Sequence, residues 1–192
     1  MNTQKMIKLG VILFVICIVA ASLLSFVNQM TMSKIQEQRD LKSESMRKEV
    51  LPAAETFKAI DESKLNEIKA ANEKVLEVYE GLKGDQVVGF VVKTNPSGYS
   101  GPVEITTGIC AEGVITGVRV GEQKETPGLG ANAKLPYFYE QYNNQKTDKP
   151  LVVVKSNPKE GEILAISGST ITSNCVTTGV NFSVDVAKML KK

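Results

Sequence analysis

"PVEITTGICAEGVITGVRV", residues 102 to 120, is the stretch on which the fold turns. Its first part sets Val103, Ile105, Thr107 and Ile109 against Glu104, Thr106 and Gly108, the two-residue period of a strand with unlike faces. After a Cys-Ala-Glu-Gly loop the alternation resumes with Val114, Thr116, Val118 and Val120. Two such runs joined by so short a loop predict an antiparallel hairpin.

Working outward, Val75 to Glu80 and Val87 to Lys93 are β-rich runs separated by the turn-prone "GLKGDQ". Ahead of them, Glu62 to Glu73 places Leu65, Ile68 and Ala71 or Asn72 near one helical face, and Met32 to Glu49 has helix-forming composition up to Pro52. Behind the hairpin come a Gly- and Pro-punctuated loop, Gly121 to Lys134, a Tyr-rich helical stretch, Leu135 to Tyr142, and a short strand, Leu151 to Lys155. A closing helix carries Val176, Val180, Val184, Ala187 and Leu190 on one face. Strands grouped in the middle with helices at both ends predict an α+β fold, a mainly antiparallel sheet flanked by helices, rather than a doubly wound one.

The N-terminus reads differently. Leu9 to Val27, "LGVILFVICIVAASLLSFV", carries no charge, and about 19 helical residues at about 1.5 Å each cross most of a bilayer core of about 30 Å. A cleaved signal peptide is the rival, with Lys5 and Lys8 ahead of small Ala20, Ala21 and Ser22. Hydrophobicity runs on through Leu23, Leu24 and Phe26, which favours an uncleaved transmembrane helix. The expected organisation is a tail at 1–8, an anchor at 9–27, a helical stalk with outer helices at 28–73 and a ligand-binding domain at 74–192. Lys34, Arg39, Lys42, Arg47 and Lys48 follow the span, so the positive-inside count leaves the domain's side of the membrane open.

Composition narrows the chemistry. The net charge is +2 with both signs interspersed, which argues against nucleic acid as a partner. There is no histidine, so Ser-His-Asp and Cys-His pairs and imidazole metal ligands are excluded. What remains is carboxylate chemistry or a bound cofactor. Cys17, Cys110 and Cys175 have no metal-site spacing; a Cys110–Cys175 disulfide is open to an exported domain, and two buried free thiols are the reading preferred.

Two loops draw attention. "GLGANA" fits the G-x-G-x-x-G/A dinucleotide pattern through Gly128, Gly130 and Ala133, but the hairpin before it is antiparallel and no βαβ unit surrounds it. It reads instead as a turn before a helix, or as glycines that let the backbone approach a flat ligand. "SGSTITSN", residues 167 to 174, packs Ser167, Ser169, Thr170, Thr172 and Ser173 around Gly168 just ahead of the closing helix. One hydroxyl suffices for an N-cap. A helix N-terminus also offers free N–H groups to a phosphate, and the loop lacks the lysine of a nucleotide-hydrolysing P-loop.

"SGSTITS" resembles the S-G-A-T-x-T-S motif of the FMN-binding domain in the G subunit of the Rnf electron-transport complex and in the C subunit of the sodium-translocating NADH:quinone oxidoreductase. "KETPGLG", Lys124 to Gly130, and "SGYSGPVEITTGI" also look like segments of that family, and with the N-terminal span the resemblance covers nearly the whole chain. Short length and a single span are closer to the Rnf member. Ser169 stands where the family usually has Ala, and Leu164 where some members have an acidic residue.

The resemblance implies FMN joined covalently through its phosphate to Thr170, with Ser167, Gly168, Ser169 and Thr172 shaping the phosphate site and Glu125, Thr126, Gly128 and Leu129 near the flavin. It also implies an electron-carrying subunit, not catalytic alone, in an ion-pumping ferredoxin:NAD oxidoreductase complex. Its partners would be the other membrane subunits and a flavin transferase for maturation, with the FMN domain on the extracytoplasmic side of the cell membrane. Two other readings compete: a non-redox extracytoplasmic module that binds a phosphorylated ligand or partner reversibly, and a hydrolase using Glu104 or Glu125.

Overall fold

The computed structural model describes residues 3–191 and divides the chain into a helical unit up to Glu44 and a compact unit from Ser45 onward. A single 48-residue helix, α1, runs Thr3–Val50. Its apolar part reaches a mean hydropathy of 2.9 over 18 residues, and large side chains such as Phe14, Leu24 and Phe26 are exposed along it. That is the exterior of a helix suited to hydrocarbon. α1 stops at Val50, two residues before Pro52, as expected where proline bars helical backbone in the residue ahead of it.

In the compact unit five strands form an antiparallel sheet in chain order: β1 (Thr56–Ala59), β2 (Val75–Lys83), β3 (Gln86–Thr94), β4 (Ile105–Cys110) and β5 (Ile115–Val120). The β2–β3 turn is only Gly84-Asp85, with Gly84 at φ 59°, the left-handed conformation that a two-residue hairpin needs. Helix α2 (Glu62–Ala71) buries Ile68 with Val75, Val78 and Val92. After β5 come a 3-10 turn (Gly130–Lys134), the one-turn α3 (Pro136–Tyr139) and a second 3-10 turn (Glu140–Tyr142). A two-stranded parallel ribbon of β6 (Val152–Val154) and β7 (Glu162–Leu164) leads to the closing helix α4 (Thr170–Leu190).

The two sides of the sheet are built differently. On one, Phe90, Ile105, Ile109 and Val118 pack against Val176, Val180 and Val184 of α4, each such buried side chain contributing about 1.5–3 kcal/mol. On the other, Gly81, Gly89, Gly108 and Gly117 of β2 to β5 leave a side-chain-free trough that seats the end of α1. A Cβ on Gly108 would stand 2.6 Å from the Val50 carbonyl carbon, one on Gly117 3.0 Å from Val50 Cα, and one on Gly89 3.1 Å from Leu51 Cδ1. The junction is pinned at its rim: Thr116 Oγ1 donates to the Val50 carbonyl, and Arg119 pairs with Glu49 at 2.7 Å while its guanidinium lies 4.3 Å from the Tyr139 ring centre.

Three local expectations change. Ile115, not Val114, enters the core beside Val118 and Val120, because a bulge between Gly108 and Ile109 shifts the phase of the pairing. β1 falls inside the stretch expected to be helical; four residues are too short to show an alternation, and the exposed edge of β2 recruits them. The Tyr-rich stretch is one α-turn and one 3-10 turn rather than a continuous helix.

Candidate functional site

The site forms where α4 begins. Gly168, at φ 74°, turns the chain into the helix, and Ser169 is the N-cap residue without a side-chain cap hydrogen bond. Ser169's hydroxyl therefore leaves the first-turn N–H groups of α4 without a cap, and no acidic residue lies in that turn. Ser173 does the structural work of the loop: its Oγ accepts from Ile166 N and donates to the Ser169 carbonyl, both at 2.9 Å. Deeper in α4, Thr177 donates to the Ser173 carbonyl and shares a 2.8 Å hydrogen bond with the Tyr142 hydroxyl. Burial pushes that phenol well above its ordinary range.

Glu125 comes up from the loop after β5. It is buried, accepts from Thr172 Oγ1 at 2.5 Å and from Ser100 N at 2.9 Å, and its own N–H donates to Gln123 Oε1. Glycine makes room on both sides: a Cβ on Gly98 would sit 2.6 Å from Glu125 Oε1, and one on Gly130 would sit 2.5 Å from Thr172 Oγ1. Behind the site, the Cys175 thiol is pushed up to about 12, chiefly by burial and then by the negative charge of Glu125. All three cysteines are free.

These segments enclose a cleft of about 540 Å³, within the range of small-molecule sites. Of the residues singled out in the sequence, it gathers Gly168, Ser169, Thr170, Thr172, Glu125, Thr126 and Leu129. Ser167 and Gly128 are exposed and outside its lining. The lining adds Gly130, one of the two glycines read as allowing a close approach, and two residues that the sequence did not mark, Tyr99 and Ile171, both well exposed at the rim. Tyr99 lies in the quoted "SGYSG" and Ile171 inside the hydroxyl motif, in the first turn of α4, but nothing local to either residue marks it as a wall.

The surplus of hydroxyls resolves by position. Ser173 and Thr172 are buried and hydrogen-bonded, Ser169 is buried, and Ser167 is outside the cleft. Thr170 alone among them lines the cleft and is only half-buried, and no hydrogen bond engages its hydroxyl among the described residues. Among the described residues there is also no cluster able to hold a metal ion, and Glu104 pairs with Lys93 at 3.3 Å away from the cleft lining.

The FMN-binding domain family matches residues 98–185, a span that takes in the hairpin, both cleft loops and most of α4, and the RnfG N-terminal region matches residues 1–50. The G subunit of the Na(+)-translocating ferredoxin:NAD(+) oxidoreductase complex of Acetobacterium woodii is 46% identical over 96% of this chain and 93% of its own length. The chain belongs to this G-subunit family. Membership extends to a further relative, the G subunit of the ion-translocating oxidoreductase complex of Methanosarcina acetivorans, 31% identical over 96% of this chain and 95% of that one. Among solved structures, the C subunit of the Na(+)-translocating NADH-quinone reductase of Parabacteroides distasonis aligns with a TM-score of 0.50 at 26% identity, covering 62% of this chain and 66% of that chain. NqrC of Shewanella oneidensis, at 23% identity and a TM-score of 0.52 over 58% of this chain and 56% of its own, shares the fold. The expected α+β architecture, an apolar N-terminal helix followed by an antiparallel sheet with flanking helices, agrees with these neighbours.

Proposed function

We propose that this chain is the flavin-carrying subunit of an Rnf-type ion-translocating ferredoxin:NAD oxidoreductase complex, with FMN joined through its phosphate to the Thr170 hydroxyl. The observation that carries the attachment is the placement of that hydroxyl: half-buried in the cleft wall, at the first residue of a 21-residue helix whose leading N–H groups lack a side-chain cap from Ser169. A helix N-terminus favours a phosphate by its partial positive charge and its unpaired donors. The cleft suits the rest of the group. Tyr99, Leu129 and Ile171 offer exposed apolar surface to a flat ring, while Glu125 and Thr126 provide polar groups on the same wall.

FMN supplies the electron-transfer chemistry once bound, and the residues of the chain supply its position and electrostatics. Gly168 and Ser169 would hold the phosphate at the turn into α4, while Thr172 and Glu125 fix the loop against α4 and Leu129 lies close over Gly168. On this reading residues 9–27 anchor the chain by one helix, the flavin domain lies on the extracytoplasmic side, and electrons pass to and from the other membrane subunits. Covalent attachment by a flavin transferase keeps the flavin in place where free FMN falls below its dissociation constant.

In-gel fluorescence tests the reading. The full chain, produced together with a flavin transferase and run on a denaturing gel, is expected to give a fluorescent band. A colourless band from protein that releases FMN on denaturation would replace attachment with reversible binding.

A further inference from the structure

Glu125 is a buried carboxylate with neutral hydrogen-bond partners. It accepts both of its side-chain bonds, from Thr172 Oγ1 and from Ser100 N. None of the ion pairs among the described residues involves it, and no lysine or arginine lines the cleft. A carboxylate that is itself buried and outside the ion pairs of the described residues is screened less than one at the surface.

We infer that Glu125 sets the reduction potential of the flavin held in this cleft, its fixed negative charge keeping the cofactor a stronger electron donor than the same site would make it with a neutral residue. The inference rests on the flavin-carrying reading above. Adding an electron to a flavin places negative charge in the cleft that Glu125 already lines, so the oxidised form is favoured and the potential falls. The residue acts by position, not by bonding to the reacting atoms. Its geometry is costly to arrange: two glycines, Gly98 and Gly130, are needed to let the loops close on it.

The test is a spectroelectrochemical titration of the full, flavin-loaded chain beside Glu125→Gln and Glu125→Asp. Glu125→Gln is expected to shift the oxidised-to-reduced ratio at a given potential about tenfold toward the reduced form, about 59 mV upward for a one-electron step or about 30 mV for a two-electron one. Glu125→Asp, which keeps the charge, is expected to stay near wild type even where it lowers thermal stability. Should Glu125→Gln fail to fold, Glu125→Ala, equally uncharged and smaller than the space it leaves, is expected to raise the potential by the same amount. Equal potentials for wild type and a folded Glu125→Gln chain, or a melting temperature that moves while the potential does not, would reduce Glu125 to a structural latch. A wild-type chain without flavin absorbance would fail the flavin reading instead, and this inference with it.

Discussion

The two sides of the sheet solve opposite problems. The α1 side is made by leaving atoms out: four glycines let the backbone at Val50 and Leu51 lie directly on the strands. The α4 side is made by crowding atoms in, with apolar side chains below and a cluster of hydroxyls and one carboxylate at the helix start. The first side has no room for change and no chemistry; the second keeps an open cleft at its edge. A trough emptied of side chains tolerates addition badly, whereas a hydrogen-bonded loop tolerates deletion badly.

Adding to the trough should therefore have the largest effect on stability. Gly108→Val would drive side-chain atoms into the Val50 carbonyl and Thr116 Oγ1, and a loss of at least about 3 kcal/mol is expected in denaturant unfolding. A loss under about 1 kcal/mol would mean the α1 junction is loosely seated. On the other side, Ser173→Ala removes the partner of Ile166 N and should cost about 1–3 kcal/mol, together with a weakened hold on the loop that carries Thr170. Tyr142→Phe, which leaves Thr177 its bond to the Ser173 carbonyl, should cost about 1 kcal/mol. Arg119→Ala at the partly exposed rim should cost no more than about 1 kcal/mol, and less at high salt.

The Cys175 thiol gives the comparison a pH signature. Its ordinary value near 9.0 rises to about 12 in the folded chain, so folding favours the protonated form. That contribution is fully present below about pH 9 and is lost as pH climbs toward 12. Native protein at pH 8 is expected to resist iodoacetamide at Cys175 and to react there once denatured, as read by peptide mass. Equal labelling in both states would show that the α4 side is open.

How much of this the sequence disclosed follows from the range of each signal. The hairpin was legible because alternation over residues 103–109 is a local pattern, and α4 because Val176, Val180 and Val184 repeat at helical spacing. The bulge that swaps Val114 for Ile115 is a property of pairing between strands and leaves no mark in either strand alone. The glycine trough was invisible for the same reason, since Gly81, Gly89, Gly108 and Gly117 align only when four strands are side by side. Thr170 could be singled out by its motif, but its distinction from four neighbouring hydroxyls is a matter of burial. Tyr99, on a loop, and Ile171, in the first turn of α4, became walls of one cleft only in three dimensions.

The most direct measurement is the intact mass of the full chain produced with a flavin transferase, beside Thr170→Ala. The expected result is an added mass of one FMN less one water on the wild type and none on the variant, with both chains melting alike. The same added mass retained on Thr170→Ala, or an unmodified wild type from cells that flavinylate other proteins, would contradict the assignment of Thr170.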